Sequence, residues 1–144
     1  MPLLRPQAEE YRRRTFAAQR SDPSRVYYRV ARSGDDVVGF VHAEQPADGE
    51  PDEGPEDERP GGEEPDATLA AIYLLRAHQG TGVAERLMSG ALAWTGGRGV
   101  RVEVASYNER AIAFYRRHGF SPTGATGCFR ERVPTLHMRR EPTA

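Results

Sequence analysis

The stretch that most restricts how this chain can fold is Ile72-Tyr73-Leu74-Leu75-Arg76-Ala77-His78-Gln79-Gly80-Thr81-Gly82-Val83-Ala84-Glu85-Arg86-Leu87-Met88. An apolar, strand-like run passes through a short turn into two glycines and then into a helical pattern. The first N–H groups of a helix have no partner within it, and its aligned peptide dipoles make that end locally positive. Glycines there let a bulky anion approach the backbone. The segment therefore predicts a phosphate or pyrophosphate site at Gly80–Ala84. Two familiar phosphate motifs are excluded. The nucleotide P-loop needs a lysine, and all twenty basic residues of this chain are arginine. The dinucleotide pattern needs a third glycine where Glu85 stands. The plain alternative is a glycine-containing helix start with no ligand.

The flanking sequence fits an α/β order. Gln7–Gln19 reads as a polar, arginine-rich helix with Tyr11 and Phe16 as its aromatic contacts. Arg25–Ala31 and Val37–Ala43 read as a hairpin turning at Gly34-Asp35-Asp36. Thr68–Leu75 is a buried strand, Gly80 opens a helix ending before Gly96-Gly97, and Val100–Val104 alternates like a strand with one polar face. Asn108 is a good N-cap for a helix whose Ala111, Phe114, Tyr115 and His118 share a face, and Gly119 stands where a left-handed C-cap belongs. Short strands near Thr126–Arg132 and Thr135–Arg139 finish the chain. The resulting order, α-β-β-(loop)-β-α-β-α-β-β, predicts a mixed α/β sheet.

Charge is unevenly divided. Residues 45–66 hold ten acids, one arginine, five prolines and four glycines, with Ala47 the only hydrophobic residue. Such a segment cannot bury enough apolar area to offset its ordering entropy, which predicts a flexible insertion within one domain spanning residues 1–144. The remaining 122 residues carry nineteen bases and eleven acids, a net charge of +8. A cationic body points to an anionic ligand. No apolar run approaches the roughly 20 residues of a membrane span, the first residues carry no secretory pattern, and one cysteine cannot form an internal disulfide. The expectation is a cytoplasmic protein that does not engage membranes.

Two segments carry a family resemblance. Gln79-Gly80-Thr81-Gly82-Val83-Ala84, preceded by Ile72-Tyr73-Leu74, resembles the acetyl-CoA-binding motif Gln/Arg-x-x-Gly-x-Gly/Ala of the GCN5-related N-acetyltransferase (GNAT) family. Asn108, Ala111, Phe114, Tyr115, Gly119 and Phe120 match a second family feature, Asn-x-x-Ala-x-x-Phe-Tyr-x-x-x-Gly-Phe. The resemblance runs from about Val26 to Arg139 and has both motifs in order, with a strand between them.

The resemblance implies a mixed, mostly antiparallel twisted sheet flanked by helices, binding acetyl-CoA as cosubstrate and using no metal. The strand ending at Leu74 splays from Val100–Val104, and the pantetheine arm lies in that gap on the backbone of Ile72 and Leu74. Gln79, Gly80, Thr81, Gly82, Val83 and Ala84 cradle the pyrophosphate, and Asn108 hydrogen-bonds the arm. Tyr115 protonates or hydrogen-bonds the departing thiolate, a task that suits a phenol because it keeps its proton at neutral pH. The acceptor is an amine on a small molecule, peptide or protein. An acyl-CoA-binding module with weak or no catalysis is the alternative.

The sequence departs from the family in two places. Where many members carry a glutamate as base, this chain has Thr68, and Glu103 and Glu44 are substitutes by residue type alone. The first strand and helix of the family are missing from the pattern. That predicts a short member, a truncated frame, or a chain that completes its sheet as a homodimer. His42, His78, His118 and His137 show no metal-ligand spacing. Cys128 reads as a small apolar strand residue. Arg12-Arg13-Arg14 reads as a solvated helix face, with no nucleic-acid motif beside it.

Overall fold

The computed structural model describes residues 6–46 and 65–143. Its elements are α1 (Pro6–Ser21), β1 (Val26–Ser33), β2 (Asp36–Glu44), β3 (Ala67–Leu74), α2 (Val83–Trp94), β4 (Val100–Ala105), α3 (Glu109–Arg117), β5 (Phe120–Phe129) and β6 (Val133–Arg140), with a 3-10 turn at Arg76–His78. The six strands form one mixed sheet in the order β1-β2-β3-β4-β6-β5. Every pairing is antiparallel except that of β3 with β4. The element order and the mostly antiparallel sheet are those expected from the sequence.

Strand alternation divides the side chains between two faces. Val41, Ala43, Leu69, Val100, Val102, Val104 and Met138 lie in the main core. Leu87, Met88 and Ala91 of α2 and Tyr115 of α3 close over it. Helix α2 comes close to β1 at Gly90, where a Cβ would lie 2.5 Å from Tyr27 Oη. On the opposite face α1 packs on Tyr28. The Phe16 and Tyr28 rings meet edge-on at 4.7 Å, and Tyr11 touches Tyr28, Phe40 and His42. The aromatic residues read from the sequence as the contacts of α1 do that work.

Several expectations are corrected. Helix α2 begins at Val83, not at Gly80, because Gly80 and Gly82 take φ of +80° and +88°, outside the right-handed helical region. Strand β5 starts at Phe120, directly after α3, and absorbs Pro122 and Gly124 through a register shift between Pro122 and Thr126. It ends at Phe129 because Arg130 and Glu131 turn the chain at φ of +53° and +60° without a glycine. Cys128 is exposed, not a packed apolar residue. Of the acidic segment 45–66, residues 47–64 lie outside the described residues. Its ends are anchored: Gln45 N donates to Arg25 O at 3.0 Å, and Asp66 is buried.

Candidate active site

Strands β3 and β4 pair only at Ala67↔Val100 and Thr68↔Arg101. Each is paired much further along its outer edge, β3 with β2 up to Leu74↔Gly39 and β4 with β6 up to Ala105↔Thr135. The two strands therefore diverge beyond Thr68 and Arg101. The cause is local: β3 pairs Leu69 with Ala43 and Ala71 with His42, leaving Ala70 as an extra, bulged residue. A bulge bends its strand and increases its twist.

The ladder fixes which backbone groups face this gap. Leu75 N donates to Val38 O at 2.9 Å, so Leu75 points toward β2. Alternation along an antiparallel ladder then turns the backbone groups of Leu74 and Ile72 toward the gap. Gln79 Nε2 donates to Leu74 O at 3.1 Å, which uses one of that oxygen's two lone pairs. Gly39 is needed on the other side of β3, because a Cβ there would sit 2.7 Å from Tyr73 O.

Helix α2 starts beside the end of β3. Its N-cap, Gly82, supplies no side-chain hydrogen bond, and a Cβ at Gly80 or Gly82 would meet nothing within 4 Å. The left-handed backbone, not crowding, is what calls for glycine at both positions. Thr81 Oγ1 donates to His78 O and ties the turn. The first N–H groups of α2, near Val83 and Ala84, thus begin at an end that no side chain caps.

Helix α3 carries the second motif. Asn108 Oδ1 accepts from Ala111 N at 3.1 Å, the N-cap geometry expected from the sequence. Gly119 has φ of +91° and Phe120 is fully buried, as a left-handed C-cap with an apolar closing contact requires. Tyr115 packs in the core against Phe114 and Phe120, and burial pushes its phenol up to about 12. The phenol therefore keeps its proton at any physiological pH. His118, whose ring is tilted against Phe114 with centroids 4.7 Å apart, is lowered chiefly by burial, with Glu85 of α2 opposing.

The other face of the sheet holds Glu44 and Glu103, named from the sequence as substitutes by residue type alone, and two of the histidines that show no metal-ligand spacing. His137 Nε2 lies 3.1 Å from Glu103 Oε2 across β4 and β6. His42 links Tyr11 Oη at Nδ1 to Glu44 Oε1 at Nε2, the latter at 3.2 Å. Burial lowers His42 against the pull of Glu44, and burial raises Tyr11. Thr68, which stands in place of the family glutamate, sits opposite Glu44 and Arg101 at the closed end of the gap. Asp66 bridges Arg101 and Arg139 beside it. Only the alternation of β4 hinted at the Glu103–His137 pair.

The model of the acetyltransferase (GNAT) family matches residues 2–120. No curated protein sequence matches the chain. The PaiA N-acetyltransferase of Thermoplasma acidophilum, solved with coenzyme A, superposes with a TM-score of 0.67 at 16% identity, over 89% of this chain and 67% of that one. Nourseothricin acetyltransferase superposes with a TM-score of 0.63 at 26% identity, over 85% and 68%. Arabidopsis thaliana Naa50, bound to a bisubstrate analogue of coenzyme A and a peptide, gives 0.60 at 18% identity, over 79% and 72%.

Proposed function

From the premise that this chain belongs to the acetyltransferase (GNAT) family, we propose that it transfers an acetyl group from acetyl-CoA to an amine by direct attack on the thioester. The observation that carries the proposal is the parallel pairing of β3 and β4 that stops after two residue pairs, beside the uncapped start of α2. An extended, amide-bearing arm ending in a pyrophosphate fits both features: it can pair as a strand with one edge and place its anion at the helix start. A similar fold holding coenzyme A supports the cofactor class.

In this reading the backbone of Ile72 and Leu74 binds the pantetheine arm, and Leu74 O can accept from the arm while Gln79 holds its second lone pair. Gln79, Gly80, Thr81, Gly82, Val83 and Ala84 surround the pyrophosphate. Asn108 uses Oδ1 for its cap, so its amide N–H2 serves the arm. Tyr115 keeps its proton until charge develops on sulfur and then donates it. The amine nitrogen bonds to the carbonyl carbon, the C–S bond breaks with its electron pair leaving on sulfur, and the nitrogen gives up one proton, which balances the one that sulfur takes from Tyr115. The net charge of +8 outside residues 45–66 attracts the anionic cofactor. Acceptors of both kinds acted on by its structural relatives, small molecule and peptide, fall within the proposed substrate range.

The test is release of free thiol from acetyl-CoA over a panel of amines, run beside the acetyl-CoA-induced shift in melting temperature. Both signals support the enzyme. A thermal shift without amine-dependent thiol release identifies an acyl-CoA-binding module instead.

A further inference from the structure

Among the described residues, three large apolar side chains are exposed: Tyr73 at 48%, Tyr107 at 69% and Phe129 at 52%. Single exposed aromatics are ordinary on a protein surface, but several gathered in one place mark a binding surface. These three are far apart in sequence, yet all flank the open end of the gap between β3 and β4. Tyr73 is the second-last residue of β3, and Tyr107 follows the end of β4 by two residues. Phe129 ends β5 and pairs with Val133, two residues before Thr135, which pairs with Ala105 at the end of β4. Phe129 therefore stands just beyond the end of β4, as Tyr107 does.

Two of the three share the face opposite α2 and α3. Tyr73 lies beside Phe40, ring centroids 6.1 Å apart, and Phe40 meets Tyr11 of α1. On β6, Leu136 and Met138 pack with the core, so Val133, Thr135 and His137 point away from it. Cross-strand partners share a face, which puts Phe129 on the α1 side with Gly127, over which Glu103, Thr135 and His137 close. The turn at Arg130 and Glu131 holds Phe129 there, with the Arg130 guanidinium 5.2 Å from its ring centre. Strands β3, β4, β6 and β5 are successive, so Tyr73 and Phe129 stand three strand spacings apart, about 14 Å. That is wider than a small amine can touch at once and matches about four residues of extended chain. Exposed Arg76, Arg130 and Arg132 stand at the same mouth against Glu131, while Glu109 and Arg110 of α3 cancel. The rim is thus both apolar and cationic.

We propose that Tyr73, Tyr107 and Phe129 are specificity-determining residues that seat an extended polypeptide acceptor across the mouth of the gap. The proposal rests on the acetyl-transfer reading above and narrows the acceptor to the free α-amino end of a chain whose next residues are apolar and then acidic. The apolar side chains cover the three aromatic rings, and the acidic ones meet the arginines. The α-amine enters the gap between β3 and β4. Strand β3 brings Thr68 and no carboxylate to that gap. An α-amine, which ordinarily titrates near 8, is partly neutral at neutral pH, whereas a lysine amine near 10.4 is almost wholly protonated. The neutral nitrogen bonds to the acetyl carbon as the C–S bond breaks; it loses one proton, and sulfur takes one from Tyr115.

The probes are short, lysine-free peptides with free N-termini. One begins with apolar residues and ends in acidic ones, and a second replaces the apolar half with serine and glycine. A third keeps the apolar half and ends in arginines. n-Butylamine serves as the small amine, and an N-terminally acetylated copy of the first peptide bearing one lysine supplies a side-chain amine. Thiol release gives kcat/KM, and the acetyl-CoA thermal shift reports folding and cofactor binding. The apolar–acidic peptide should exceed the serine–glycine peptide and n-butylamine by about tenfold or more, and the arginine-tailed peptide should be poorer at low salt. Phe129→Ser and Tyr73→Ser should each cut the apolar-over-polar ratio about tenfold, as loss of one aromatic contact does, with the thermal shift unchanged. Equal rates for the apolar and serine–glycine peptides, or a ratio that neither variant moves, overturn the role of the rim. An arginine-tailed peptide that is turned over as fast overturns the acidic preference. n-Butylamine or the lysine peptide as the better substrate overturns the α-amino acceptor and leaves acetyl transfer standing. A parent protein that shifts with acetyl-CoA but acetylates none of these probes nor any other amine of the panel overturns the acetyl-transfer reading itself.

Discussion

Asp66 and Arg139, 73 positions apart in the chain, are joined by two hydrogen bonds, Nε to Oδ2 at 2.8 Å and Nη2 to Oδ1 at 2.9 Å. Arg101 adds a third at 2.8 Å to the same carboxylate. The Asp66 and Arg139 side chains are 1% and 4% exposed. Together they fasten the start of β3 to β4 and β6 at the closed end of the gap. The hydrogen bond to Asp66 is the chief reason that Arg139 is held above the usual arginine range.

Asp66→Asn should therefore be strongly destabilising. Removing one member of a buried ion pair typically costs about 3–5 kcal/mol, since it leaves uncompensated charge behind. For a chain of this size that corresponds to a fall of roughly 10–17 °C in melting temperature. Calorimetry or a dye-monitored melt checks it. A loss under about 1 kcal/mol would mean the carboxylate is solvated.

Gly82→Asp should remove the acetyl-CoA-induced thermal shift while leaving a folded protein. Aspartate is among the non-glycine residues that best tolerate the left-handed backbone found at this position, and a Cβ there meets nothing within 4 Å. Its charge, however, would stand where the pyrophosphate is proposed to bind. A shift equal to that of the parent protein would move the site elsewhere.

Tyr115→Phe keeps the ring that packs between Phe114 and Phe120 and removes only the hydroxyl. The thermal shift with acetyl-CoA should survive, and turnover should fall about 100-fold or less, because a thiol of pKa about 8.5 is already a tolerable leaving group. Burial pushes this phenol up to about 12, so the parent protein's pH–rate profile should show no falling limb from Tyr115 below about pH 10. Unchanged turnover in a chemistry-limited assay would make Tyr115 a core residue only.

His42 should make the fold acid-sensitive. Burial lowers its folded-state value below the ordinary 6.5, and its neutral ring accepts from Tyr11 Oη while Glu44 stands at its other nitrogen. A histidine depressed in the folded state binds its proton first in the unfolded state. Stability is then fully present above the unfolded value and declines as pH falls through it toward the folded one. Urea melts at about pH 7.5 and pH 5.5 should show a larger loss for the parent protein than for His42→Gln. Equal losses would assign the acid sensitivity to other groups.

The elements that short-range chemistry controls were legible from the sequence. Asn108 caps α3 because a side-chain amide three residues before a free N–H closes that bond whatever surrounds it. Gly119 ends the same helix because its φ of +91° suits glycine. Gly80 and Gly82 marked the mouth of α2, although the helix itself starts one residue after the second of them. The turn at Arg130 and Glu131 gave no such signal, since neither residue favours a positive φ.

What the sequence by itself determined is therefore the order of the elements, both ends of α3 and the glycine turn that precedes α2, all set by neighbours within a few residues. The tertiary structure alone decided where β3 parts from β4, because that depends on strand adjacency and on the extra residue Ala70 in the ladder to β2. It decided that Asp66, the last acid of a tract that reads as solvated, is buried between two arginines. It also decided that Glu103 meets His137 over Gly127, three positions on three strands. Register sets these meetings: a slip of one residue would send each side chain to the opposite face, and no local pattern encodes which strands lie side by side.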